Sequence, residues 1–221
     1  MLQTQEVEPK WRRKPENRPD DILDGALIEF RTKGFKGARI EDIAKHAGLS
    51  KGTVYLYFKS KEEMLKALVQ RSILPIALKL SEIAEHVCDE CTDEPAADVL
   101  KKMLLIAGEQ MIGEQAGAIP LIIIGESGRF PELAEYYRSE IVEIVMKAVT
   151  AVITRGIERN EFRDVNVPVS IRTLMGVIIT QVIWNGVFNQ NKTNEIPVKV
   201  IIEEHLDIFL NGILVSKEVT L

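Results

Sequence analysis

Much that would announce a chemistry is absent from these 221 residues. There are two cysteines and three histidines, and no run of 18 or more apolar residues of the kind that spans a bilayer. The opening MLQTQEVEPKWRRKPENRPDD carries basic residues with no apolar segment behind them, so no secretory signal is expected there. No membrane partner is expected either, and the cytoplasm is the default location. No Gly-rich phosphate loop occurs, and none of His46, His86 and His205 stands beside a candidate nucleophile in a recognisable arrangement. Neither a catalytic residue nor a cofactor is therefore expected, and turnover of any substrate by the purified protein would revive the enzyme reading. The segment HVCDEC, with His86, Cys88 and Cys91, has two readings: the start of a metal site, or a reduced and unmetallated pair at a helix end. No second Cys/His pair occurs downstream and His205 is the only later histidine or cysteine, so no metal is expected.

What is present is apolar content and an uneven charge. Hydrophobic residues make up 46% of the chain, ample for the buried core of one large domain or two small ones. The formal net charge of −5 by itself argues against nucleic acid. Residues 1–66, however, hold 14 Lys and Arg against 11 Asp and Glu, whereas residues 67–221 hold 14 against 22. A positive end on a negative body suits an oriented DNA binder, because the body then resists lying on the phosphates.

Within the positive part, residues 1–19 have three prolines and the cluster Lys10, Arg12, Arg13, Lys14 and Arg18. They read as a flexible basic arm, either an extra phosphate or minor-groove contact or a solubilising tail. From Asp20 an apolar stripe of Ile22, Leu23, Ala26, Leu27 and Phe30 predicts a helix that Gly34 ends. The segment GLSKGTVYLYF at residues 48–58 organises its surroundings. Gly48 can take a positive-φ turn and Ser50 can N-cap the next helix. Ile40, Ile43, Ala44 and Ala47 before the turn, and Leu49, Val54 and Phe58 around and after it, recur at spacings of 3 and 4. Three helices at roughly 20–33, 40–47 and 51–57 make a compact helix-turn-helix. Its last helix leaves Lys51, Gly52, Thr53, Tyr55 and Tyr57 outward, a set suited to the major groove. Lys51 is placed for a guanine edge or a phosphate, Thr53 for a thymine methyl or a base edge, and Gly52 for close approach of the backbone. Tyr55 has a second reading, packing against the first helix.

The run GFKGARIEDIAKHAGLSKGTVYLYFKSKEEMLKAL resembles the N-terminal domain of the TetR/AcrR family of transcriptional regulators, whose pattern is close to GFxxTSVxDIAxxAGVSKGTLYxYFxSKEELL. The likeness covers residues 22–68. It implies an all-α homodimer with an N-terminal three-helix DNA-binding domain, here residues 20–66, and a larger helical ligand-binding and dimerisation domain, here residues 67–221. It also implies that Tyr55, Tyr57 and Lys61 contact phosphates. Ala38 and Arg39 stand where the family usually has hydroxyl residues that cap the second helix and touch a phosphate. Arg39 can supply the phosphate contact but cannot accept the cap hydrogen bond, a loss of about 1 kcal/mol.

Beyond Lys59, SKEEML opens a helix with Ser60 as N-cap and Glu63 completing a capping box. The helix is expected to run to about residue 85 with a bend at Pro75, read either as a transmission point between domains or as a tolerated kink. Residues 96–115 carry a wide apolar face, residues 119–124 a short apolar helix, and Pro131 opens a helix to about residue 159 with Leu133, Tyr137, Ile141, Ile144, Ala148 and Val152 on one face. Glu126 and Arg129 either orient a polar group or pair at the surface. After Pro168, residues 174–188 are apolar nearly all round, so this helix must be covered on every side, by its own domain and by a partner subunit. The last helix, at residues 197–215, aligns Ile201, His205, Ile208, Phe209 and Gly212, with Ile202 on the flank. The resemblance implies a four-helix interface built from two such helices of each subunit, and we expect Val177, Gln181, Ile201, His205, Ile208, Phe209 and Gly212 in it. An adaptable apolar pocket is expected from Met103, Ile106, Ala107, Met111, Tyr137, Met175 and Trp184, each of which is equally an ordinary core residue.

The expectation is a ligand-responsive transcriptional repressor. It would hold double-stranded, pseudo-palindromic operator DNA through Arg39, Ser50, Lys51, Gly52, Thr53, Tyr55, Tyr57 and Lys61, and release it when a small hydrophobic or amphipathic effector binds. The alternative is a ligand- or partner-binding module that kept the fold and lost operator recognition.

Overall fold

The structure, a computed structural model, describes residues 18–89, 93–112, 115–189, 191, 193 and 195–213. Of the basic arm only residues 18 and 19 are among them, and Cys91 and the Cys88 side chain lie outside the described residues. Among the described residues the fold is all-α, without a strand. The chain divides into two compact units, Met1–Met64 and Leu65–Leu221, each with its own core.

In the first unit, α1 (Arg18–Gly37) begins with Asp20 and Asp21 in its first turn, where the helix dipole favours negative charge. It buries Ile22, Leu23, Ala26, Leu27 and Phe30. The helix expected to end at Gly34 instead breaks there and resumes: Gly34 adopts φ 71° and ψ 162°, and the last turn swings the Phe35 ring to 5.0 Å from that of Phe30. α2 (Ile40–Ala47) packs on α1 at Gly25, where an added Cβ would lie 2.9 Å from the Ile43 carbonyl oxygen. Gly48 ends α2 at φ 68°, its N–H directed to Lys45 O, and the Leu49 N–H closes the turn on Ala44 O at 2.8 Å. α3 (Lys51–Tyr57) then starts at Ser50, whose Oγ accepts the Thr53 N–H at 3.1 Å. Val54, fully buried, is the inward-facing residue of α3, which packs on α2.

α4 (Lys61–Ser72) is capped by Ser60 Oγ, which accepts the Glu63 N–H at 3.2 Å. The Glu63 carboxylate reaches back one residue further than a capping box requires, to the Lys59 N–H at 2.5 Å. Lys61 Nζ crosses to the end of α1 and donates to the carbonyls of Phe35, Lys36 and Ala38 at 2.5, 3.2 and 3.0 Å. The long bent helix expected to reach residue 85 is two helices, α4 and α5 (Leu74–Asp89), meeting at Ile73. Pro75 has no N–H and therefore sits best in a first turn, so the chain restarts a helix there and does not bend one.

In the second unit, α5 and α6 (Ala96–Met111) lie against α9 (Glu143–Glu158), and α6 also packs on α10 (Val167–Ile183) and α11 (Val198–Ile213). Gly108 sets the α6–α11 approach, since a Cβ there would meet Ile202 and Val198 at 3.1–3.2 Å. Pro95 gives α6 no side-chain cap, and Glu161 Oε2 supplies one from the loop after α9, accepting the Ala96 N–H at 2.6 Å. A short helical turn (Gln115–Gly117) leads into α7 (Ala118–Glu126), and Pro131 opens α8 (Pro131–Tyr137). α8 passes into α9 through a π-turn at Arg138–Val142. That turn carries an extra residue and rotates α9 about its axis, so Val149 and Ile153 join Ala148 and Val152 in the core while Ile144 is only half-buried. α10 is capped by Asn166, whose side chain accepts the Val169 N–H at 3.2 Å, and it too ends in a π-turn, Trp184–Phe188.

These approaches make two substitutions informative. Gly25→Ala forces α1 away from the Ile43 carbonyl and is expected to destabilise the first unit by about 1–3 kcal/mol, read as a lower denaturant midpoint. Lys61→Met keeps the aliphatic stem and removes three hydrogen bonds to carbonyls, and is expected to cost about 1.5–3 kcal/mol by the same measurement.

Candidate nucleic-acid interface

The outward surface of α3 is defined by the residue it turns inward. With Val54 fully buried and 100° between successive residues, Gly52 and Leu56 straddle the line directly opposite, Lys51 and Tyr55 lie to one side, and Thr53 and Tyr57 to the other. Lys51, Gly52, Tyr55 and Tyr57 are exposed. Tyr55 is 45% exposed, and the Lys51 ammonium lies 5.8 Å from its ring centroid. Thr53 is half-buried and its Oγ1 shares a 2.8 Å hydrogen bond with Ser50 Oγ, so the two hydroxyls stiffen the first turn together.

Gly52 has no reason within the chain. Its backbone is helical, and a Cβ there would meet nothing nearer than Ser50 Oγ at 3.8 Å. Glycine in a helix costs about 1 kcal/mol relative to alanine, and here the cost is repaid by nothing in the protein itself.

Lys51 Nζ is held by Glu41 Oε1 of α2 at 2.6 Å, a partner that pattern-reading within α3 missed. Their hydrogen bond raises the Lys51 ammonium above its ordinary pKa and lowers the Glu41 carboxyl below its own. Arg39 is exposed and occupies the N-cap position of α2 without a side-chain cap bond, as its chemistry dictates. Lys61 departs from the expected phosphate role: its ammonium is committed to three carbonyls and its charge is spent inside the first unit.

Of the pocket candidates, Met103, Ala107 and Met111 share the buried face of α6, and Ile106 and Met175 are half-buried. Burial pushes the Tyr137 phenol up to about 12. Trp184 is 52% exposed and its ring lies 6.1 Å from that of Phe188, itself 70% exposed, because the π-turn rotates both outward. It lines no interior. The helical stretch Val167–Phe188 contains no unbroken apolar run of 18 residues, yet by length and composition it is apolar enough to cross a membrane, a test that a core helix of a soluble protein also passes; Arg172 is its one charged residue.

The α11 stripe splits in two. Phe209 turns inward with Ile202, Leu206 and Ile213 into the core of its own unit, leaving Ile208, 74% exposed, and Gly212 outside, with Ile201 and His205 between. His205 Nε2 donates to Leu174 O of α10 at 3.1 Å, and burial holds its imidazole below the usual range despite that bond. Val177 and Gln181 are half-buried on α10. Among the described residues no group of His, Cys, Asp and Glu is arranged to hold a metal.

Comparison with known proteins agrees with this geometry. Residues 22–68 match the family described as bacterial regulatory proteins, tetR family. The fatty acid metabolism regulator protein of Bacillus subtilis is 23% identical over 195 residues, spanning 87% of this chain and 93% of that protein. The HTH-type transcriptional repressor KstR2 of Rhodococcus jostii is 24% identical over 197 residues, 89% of this chain and 91% of its own. In fold, the transcriptional regulator FadR from Bacillus subtilis in complex with stearoyl-CoA superposes with a TM-score of 0.63 at 23% identity, covering 87% of this chain and 98% of that one. The three-helix unit built on Gly48, Ser50 and Val54 thus belongs to the tetR family of bacterial regulatory proteins, and along most of its length the chain is similar to TetR-family transcriptional regulators, which bind DNA and are not enzymes.

Proposed function

We propose that this regulator is a cytoplasmic, ligand-responsive repressor that binds a pseudo-palindromic operator as a homodimer and is released by a small apolar or amphipathic molecule. The observation that carries the reading is the outer face of α3: two tyrosines and a lysine around a glycine that no internal contact requires. Gly52 then serves close approach to the groove, Lys51 exchanges Glu41 for a guanine edge or a phosphate, and Thr53 meets a thymine methyl or a base edge. Tyr55, Tyr57 and Arg39 meet phosphates, and Ser50 holds the first turn in shape. Breaking the Lys51–Glu41 pair is cheap because both side chains are more than half exposed to solvent.

Dimerisation is proposed through the outward sides of α10 and α11, at Val177, Gln181, Ile201, His205, Ile208 and Gly212. Apolar surface left uncovered on two adjacent helices supports it, as does the open space beside Gly176 and Gly212, which lets a second pair of helices come close. Two copies of α3 held about 34 Å apart would then enter successive major grooves. The effector is proposed to sit among Met103, Ile106, Ala107, Met111, Tyr137 and Met175. The stearoyl-CoA complex of the Bacillus subtilis regulator and the repressor KstR2 support an amphipathic ligand and a repressing action. A coupling of about 1–3 kcal/mol between the two sites suffices to change operator affinity by one or two decades.

Selection of genomic fragments with purified protein at physiological salt tests this reading. Enrichment of one two-fold-symmetric site supports it, and retention no better than random sequence replaces it with a module that binds ligand or partner without reading DNA. Three substitutions refine the assignment. Gly52→Ala is expected to leave the protein as stable as before or up to about 1 kcal/mol more stable, while weakening operator binding at least tenfold; equal operator affinity would show that the glycine serves neither. Lys51→Ala should weaken the operator roughly tenfold and change the preferred sequence at one position per half-site. Arg39→Ala should weaken all sequences alike and reduce the slope of log affinity against log salt by about 1 per half-site, measured by titration at several salt concentrations.

A further inference from the structure

Leu56 is the most exposed large apolar side chain among the described residues, at 83%, and it lies on the one helix proposed to enter DNA. Solitary exposed leucines are ordinary on protein surfaces, so exposure alone assigns nothing. Its position does. Gly52 and Leu56 are one helical turn apart on either side of the line opposite the buried Val54, so they form the ridge of α3 that leads into any groove the helix enters. At Gly52 that ridge is bare backbone. Removing the side chain there lowers the helix toward the base pairs, and the next projection along the ridge is the leucine. Four residues of helix advance about 6 Å, or roughly two base-pair steps of about 3.4 Å.

The flanking positions all carry groups that hydrogen-bond or pair: Lys51 with Glu41, Thr53 with Ser50, and the two phenols. Leu56 can do neither. The apolar feature that base edges offer in the major groove is the 5-methyl group of thymine. We infer that Leu56 reads one thymine methyl in each operator half-site, about two base steps from the pair that faces Gly52, and so determines sequence preference at that position. The inference rests on the operator-binding reading above and names a specificity contact within it.

Deoxyuridine substitution tests it directly, because it removes the methyl and keeps every hydrogen-bonding group of the base. Each thymine of the selected operator is replaced in turn, symmetrically in both half-sites, and affinities are measured for the full-length protein and for Leu56→Ala. One position is expected at which the wild type loses about fourfold per half-site, the worth of one buried methyl, while Leu56→Ala binds the thymine and uridine operators equally. Thermal unfolding of Leu56→Ala should match the wild type, since the side chain touches little of the protein. A uridine penalty of the same size in Leu56→Ala overturns the inference; if that penalty disappears in Thr53→Ser, the methyl belongs to Thr53. A wild type that binds its operator tightly with no methyl-sensitive position overturns the inference and leaves the operator reading standing. A protein that selects no operator removes both.

Discussion

Gly25 lets α1 lie on α2 so closely that a Cβ there would sit 2.9 Å from the Ile43 carbonyl oxygen, and the reading surface is built outward from that contact. The crossing also brings the almost fully buried Glu29 carboxylate between the His46 ring and the Lys33 ammonium. His46 Nε2, in the last turn of α2, lies 2.9 Å from Oε1, and Oε2, with no aligned hydrogen-bond donor, is met by Lys33 Nζ at 2.9 Å. Lys33 in turn reaches Asp42 in the first turn of α2 at 2.8 Å. A carboxylate removed from water is tolerated only when it is paired, so this cluster ties both ends of α2 to α1. Once α2 is placed, the left-handed Gly48 and the Ser50 cap leave α3 one direction in which to start, and Val54 fixes its rotation. The angle of α3 is thus inherited from a glycine two helices earlier.

The positive end of the chain is less free than its charge suggests. Lys61 is consumed by the carbonyls at the end of α1, Lys33 by Glu29 and Asp42, and Lys51 by Glu41. The first two lysines hold the unit together. The third is a solvent-facing pair across α2 and α3 that holds its lysine over the Tyr55 ring without committing it. Surface ion pairs of this kind contribute little to stability, so phosphates can replace Glu41 at small expense.

In the second unit the pressure comes from apolar surface. α6 and α9 fill the interior with Met103, Leu104, Ala107, Val149, Val152 and Ile153, while α10 and its π-turn leave Trp184, Val187 and Phe188 outward and α11 leaves Ile208 outward. Uncovered apolar area on neighbouring helices favours association, and the same helices pack inward through Leu174, Ile178, Leu206 and Phe209. One helix pair therefore joins the core of its own unit to the surface proposed to meet a partner.

Residues close together in sequence were enough to place α2 and α3, the left-handed Gly48, the caps at Ser50 and Ser60 and the helix that starts at Pro131, because caps, positive-φ turns and proline starts act over three or four residues. They were enough for the family as well, since its signature lies in one continuous segment. They did not foretell that Lys61 faces inward to carbonyls 23 to 26 positions away, that Glu41 holds Lys51, that Glu161 caps α6, or that α4 and α5 are separate helices. Nor did they place Trp184 outside and Phe209 inside. Helical spacing tells which residues share a face, but not what that face meets. A π-turn shifts the face by a residue, and long charged side chains choose partners by distance in space, which only the packed chain supplies.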